Sequence, residues 1–94
     1  MLRPMHASIS TFRGDPDGLL ARYDAMLADI PPERMILHLC LRADDGIVVV
    51  DTCPSHEAFE AFFGTGGAFH SLLARHGLPE PEVHDHPVHA AFPR

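Results

Sequence analysis

Four consecutive β-branched residues, Ile47-Val48-Val49-Val50, directly follow the turn signal Ala43-Asp44-Asp45-Gly46 and constrain the fold more than anything else in the chain. A strand alternates its side chains between two faces, so an unbroken apolar run leaves neither face for water. The run therefore reads as an inner strand buried on both sides. Met35 to Leu41, apolar except at His38, reads as the strand before it, and Gly46 can take a positive φ in the hairpin between them. A chain of 94 residues holds one domain, residues 1–94, and its helices can cover only one side of such a sheet. A second copy is the economical cover for the other side, so a homodimer is expected.

The flanking segments supply the remaining elements. His6 to Phe12 alternates loosely and suits a first strand, stopped by Gly14-Asp15-Pro16-Asp17. Asp15 is an N-cap candidate with Pro16 at the first helical position, where a missing N–H costs nothing. Leu19, Leu20, Tyr23, Met26, Leu27 and Ile30 then form one helical stripe that Pro31-Pro32 ends. Ser55 can cap a second helix with Phe59, Phe62 and Phe63 on one face. Gly64 to Gly67 should break that helix before Phe69, Leu72, Leu73 and His76, and Gly77 should end it. Val83 to Phe92 reads as a last strand, with Pro87 assigning it to an edge or a bulge. The order is βαββαβ. Right-handed crossovers place both helices on one face of an antiparallel sheet, a ferredoxin-like α+β fold.

Composition narrows the function. Thirteen acidic residues against seven basic ones give a formal net charge of -6, which repels a phosphate backbone and argues against nucleic acid. No apolar run approaches a membrane span, and Met1-Leu2-Arg3-Pro4 lacks a signal-peptide core, so a cytoplasmic location is expected. The chain has no Lys, Asn, Gln or Trp. That excludes a lysine Schiff base and a side-chain amide in an oxyanion hole. An all-arginine basic set also suits a GC-rich bacterial genome. Cys40 and Cys53 lack metal-ligand spacing and read as buried free thiols. Eight histidines remain as the groups that could carry chemistry near neutral pH.

The segment Asp45-Gly46-Ile47-Val48-Val49-Val50-Asp51-Thr52-Cys53-Pro54-Ser55-His56-Glu57-Ala58-Phe59-Glu60-Ala61-Phe62-Phe63 resembles the strand-to-helix segment of the dimeric α+β barrel superfamily, especially its antibiotic-biosynthesis-monooxygenase-like group. Gly77-Leu78-Pro79 leading to Pro87-Val88-His89 is similar to that group's chain end. The resemblance implies a dimeric barrel and points to cofactor-independent monooxygenases acting on aromatic or polyketide-like molecules. The haem-degrading branch carries a Trp and a His on the second helix and an Asn on the first strand. Here Phe62 stands at or near the Trp position and Leu72 or Leu73 around the His position. With no Asn in the chain, haem is not implied and no cofactor is expected.

Two sets of residues are candidates for a site. An even-length hairpin loop puts His38 and Asp51 on one face with Ile36, Cys40, Ile47 and Val49. A carboxylate beside an imidazole fixes its tautomer and strengthens it as a base. The competing role is a satisfied buried histidine or a polar pair at a dimer interface. Phe59, Phe62, Phe63 and Phe69 could line a pocket for an apolar or aromatic small molecule, with His6, Ser8 or His38 as polar contacts and Gly64 to Gly67 as a flap. Taken one by one, an aromatic stripe at helical spacing reads first as core. His84 and His86 share a face, with His89 nearby, but two ligands without a third make no metal site, so none is expected. His56 reads as exposed, and His76 as a complement to its helix dipole. The alternative to an enzyme is a non-catalytic dimeric binding or accessory protein.

Overall fold

A computed structural model describes residues 5–30 and 37–91. Their elements are β1 (His6–Arg13), α1 (Pro16–Leu27), β2 (His38–Ala43), β3 (Gly46–Cys53), α2 (His56–Phe63), α3 (Ala68–Arg75) and β4 (Glu82–Pro87). The strands form one antiparallel sheet in the order β2-β3-β1-β4, with the helices on one side of it. This is the expected ferredoxin-like α+β arrangement, its second helix split in two. No helix among the described residues is long and apolar enough to cross a membrane.

The local signals act as the sequence suggests. The Asp15 carboxylate accepts the Gly18 N–H at 2.9 Å, and Pro16 opens α1. Ser55 caps α2 by accepting from the Ala58 N–H at 3.1 Å. The Gly64–Gly67 segment separates α2 from α3, and Gly77, at φ +69°, follows the end of α3. At Gly46 glycine is required by a close approach, since a Cβ there would lie 1.9 Å from the Phe12 carbonyl oxygen.

Three boundaries differ. Helix α1 stops at Leu27, and the chain reaches Ile30 through tight turns, Asp29 N–H to Met26 and Ile30 N–H to Leu27. The residue before a proline is pushed out of helical φ/ψ, so the helix loosens a turn early. Strand β2 runs on to Ala43, while Met35 and Ile36 lie outside the described residues. Strand β4 ends at Pro87, because proline has no N–H to extend the ladder, and Phe92 lies outside the described residues.

The core lies between sheet and helices. Phe12, Ile47 and Val49 from the sheet meet Leu19, Tyr23 and Met26 from α1, Phe69 and Leu73 from α3, and Leu78. The expectation that β3 is buried on both faces holds for one face only within a single chain. Ile47 and Val49 are buried, whereas Val48 and Val50 are half-buried. Around them the open face carries Ile9, Leu37, Leu39 and Leu41, the last three 46–49% exposed.

Candidate functional site

Directly opposed residues in an antiparallel pair point to the same face. The hairpin closes with a two-residue turn at Asp44-Asp45, which pairs Ala43 with Gly46 and therefore His38 with Asp51. In turn, Asp51 pairs with Ser8 and Ser8 with Asp85. One polar row, His38–Asp51–Ser8–Asp85, thus crosses all four strands on the helix side, between sheet and helices.

At the β2 end, His38 Nδ1 lies 3.6 Å from Asp51 Oδ1, too long for a hydrogen bond but close enough for an ion pair. On its other side, His38 Nε2 hydrogen-bonds the Tyr23 hydroxyl from α1. Burial, then the charges of Cys40, Asp51 and Asp24, hold the Tyr23 phenol above its ordinary range. Tyr23 therefore stays protonated as it pairs with His38 Nε2, and the other ring nitrogen of His38, Nδ1, faces Asp51. Ser8 Oγ, His38 Nδ1 and Asp51 Oδ1 are buried without a hydrogen-bond partner among the described residues.

The β4 end is built differently. His6, next on the same face of β1, places Nδ1 3.1 Å from Asp85 Oδ1 and 3.2 Å from Oδ2. His56, the first residue of α2, places its Nδ1 3.2 Å from Asp85 Oδ2. The two rings lie 5.4 Å apart, and donor atoms of all three residues fall within 4.8 Å of one another. From His56 an aromatic file continues through Phe59 (6.1 Å) to Phe63 (4.9 Å) and Phe69 (4.6 Å), with Phe62 edge-on to Phe63. Phe69 belongs to the core, Phe62 and Phe63 pack partly against it, and Phe59 is half-buried beside His56. No residue of α2 is fully buried.

The sequence-predicted residues thus collect on one side of the sheet. His6, Ser8, His38 and Asp51 stand in the row or next to it, and the four phenylalanines run from α2 into α3. Two surface concavities, one around Arg22 and Leu78 and one around Ile30 and Leu72, contain none of the row. Both thiols are free, and Cys53 is pushed up to about 11 by burial and by Asp51 and Asp85, so neither serves as a nucleophile. His84 and His86 are exposed on β4, pointing to the open face, with His84 Nε2 2.9 Å from Glu82. Beyond β4, His89 is exposed too. His76 hydrogen-bonds Asp29 at 2.8 Å, a specific partner as well as a dipole contact.

Sequence reasoning missed Tyr23, Asp85 and His56. Tyr23 was hidden in the α1 stripe, where it looks like any core aromatic. Asp85 lies between His84 and His86 and so on the other face of β4, but only the β1–β4 register sets it against Ser8 and beside His6. Nothing local marked His56 as anything but a solvent-facing residue after the Ser55 cap.

No protein-family model and no curated protein matches the sequence. Among solved structures, the chain is similar to a protein of Chloroflexus aurantiacus J-10-fl provisionally named an antibiotic biosynthesis monooxygenase. Identity is 16%, the TM-score is 0.63, and the match covers 94% of this chain and 96% of that one. A likeness at that identity establishes the architecture alone: this chain has a ferredoxin-like α+β fold.

Proposed function

We propose that the chain acts as a homodimer whose helix-side polar row takes up an electron-rich aromatic or polyketide-like molecule and lets it react with molecular oxygen without a cofactor. One observation carries this reading, the trio of Ser8 Oγ, His38 Nδ1 and Asp51 Oδ1, buried side by side with no partner among the described residues. Each such group costs on the order of 1–3 kcal/mol, and native proteins retain them where function uses them. A phenolic hydroxyl entering the row would give them partners. The half-buried phenylalanines of α2 offer the flat apolar surface beside it, and the Gly64–Gly67 break lets α2 shift to admit it.

The chemistry needs only dioxygen. The Asp51–His38 pair takes the phenolic proton, and the phenolate's ring carbon bonds to one oxygen atom. The resulting peroxide loses its second oxygen as water, so the ring gains one oxygen and gives up two hydrogens to become a quinone. Tyr23, bonded to His38 Nε2, holds the imidazole in orientation. Partner subunits would meet on the open face of Ile9, Leu37, Leu39 and Leu41.

The membership of Phe69 in the core favours a second reading, a binding or accessory protein with no turnover. Native mass spectrometry of the purified protein, followed by His38→Ala, separates the two. The enzyme reading expects a dimer with extra bound mass, and a His38→Ala variant that folds but no longer consumes oxygen with the substrate class so identified. A bare dimer whose His38→Ala form loses only stability would overturn it.

A further inference from the structure

We infer that His6, His56 and Asp85 form a binding site for a divalent transition-metal ion, open on its remaining coordination positions. The site lies at the opposite end of the row from His38 and stands independently of the monooxygenase reading.

The donor set is chemically suitable, because two imidazoles and a carboxylate suit zinc and its neighbours in the first transition row. The spacing is suitable as well. Ligands at zinc–nitrogen and zinc–oxygen distances of about 2.0–2.2 Å in a tetrahedron stand roughly 3.4 Å apart. Asp85 lies 3.1–3.2 Å from Nδ1 of both histidines, and all three donors fall within 4.8 Å of one another. Small rotations of the His56 side chain, which is 56% exposed, close the set.

Two independent observations point to a cation. Asp85 is only 14% exposed and stands in register with Ser8, whose other neighbour is Asp51, yet no arginine among the described residues reaches it. The four arginines among the described residues engage Asp45, Gly77, Asp17 and Asp29 instead, and the chain has no lysine. Furthermore, the other ring nitrogen of His56, Nε2, faces Glu60 Oε1 at 3.8 Å, ion-pair rather than hydrogen-bond length, one helical turn along α2. A carboxylate behind the distal nitrogen is the usual support of a metal-bound histidine, fixing its tautomer and raising its basicity. Three protein ligands leave at least one position for water or for an oxygen of a bound molecule.

The test is zinc binding by the tag-free full chain, measured by native mass spectrometry and by competition with a chromophoric chelator. Cobalt(II) absorption then reports the coordination. The expected result is one zinc per chain and a visible cobalt spectrum of four- or five-coordinate type. His56→Ala and Asp85→Asn should each weaken zinc binding by no less than the roughly 10–100-fold that loss of an outer-shell partner costs. His84→Ala, on the opposite face, should leave it unchanged. His56 is exposed, so its variant tests the site even where Asp85→Asn fails to fold. Wild-type affinity retained in both variants, or lost on His84→Ala, would overturn the inference.

Discussion

Ser8 is 1% exposed in the middle of the sheet, and its hydroxyl has no partner among the described residues, so Ser8→Ala removes a buried polar group without removing a hydrogen bond. Relief of that desolvation is worth about 1–3 kcal/mol. The space vacated by one oxygen takes part of this back, at most the ~1 kcal/mol of a methyl-sized void. The net expectation is a gain of about 1 kcal/mol, an unusual sign for a core substitution. Urea unfolding at fixed protein concentration measures it, because an associating chain otherwise shifts its own midpoint. With a urea slope of about 2 kcal/mol per molar, the midpoint should rise by roughly 0.5 M at unchanged slope. Thr52→Val supplies the opposite sign from the same sheet. Its Oγ1 accepts the Leu37 N–H at 3.0 Å, so this variant should lose about 1 kcal/mol. If Ser8→Ala also loses about 1 kcal/mol, the hydroxyl is bonded after all, and the argument from unpartnered atoms fails with it.

Other expectations are simpler. Leu39→Asp places a charge on the open sheet face, and light scattering should then report monomer for the variant against the dimer proposed for the wild type; a dimeric variant places the interface elsewhere. Leu73 is 1% exposed at the centre of the core, so Leu73→Ala should cost about 2–5 kcal/mol in the same urea experiment, and a cost under about 1 kcal/mol would contradict the packing. Gly46→Ala drives a Cβ to 1.9 Å from the Phe12 carbonyl and should disrupt β1–β3 pairing, seen as lost amide protection along β1; full protection would be the contrary result. His70 is held above its ordinary 6.5 chiefly by its hydrogen bond to Glu80. A pKa raised on folding stabilises fully below 6.5 and loses that contribution as pH rises through the folded value. The His70 ring should therefore titrate above 6.5 by NMR, and the stability difference between wild type and His70→Ala should shrink as pH climbs past it.

How much of this was legible in the sequence depends on the range of the interaction that decides each feature. Local chemistry set the elements. The Asp15 and Ser55 caps, the glycine break between α2 and α3, and the Asp44-Asp45 turn all act within four residues, and all are present. The same short-range logic paired His38 with Asp51, because a hairpin register follows from its turn. The open apolar face was legible too, since a run like Ile47 to Val50 leaves no side for water.

Tertiary structure decided what those elements bring together. Strand β1 lies between β3 and β4, so Ser8 stands between two aspartates whose positions in the sequence are 34 residues apart. His56 reaches Asp85 only because α2 packs over β1 and β3 with its first residue toward β4, and Tyr23 reaches His38 only because α1 packs over β3 and β2. Such contacts depend on which edges pair and where each helix lies across the sheet, and long-range packing sets both. The sequence by itself determined the strands, the helices and the apolar character of the sheet's second face. The tertiary structure alone aligned the polar row and gathered two histidines around one carboxylate.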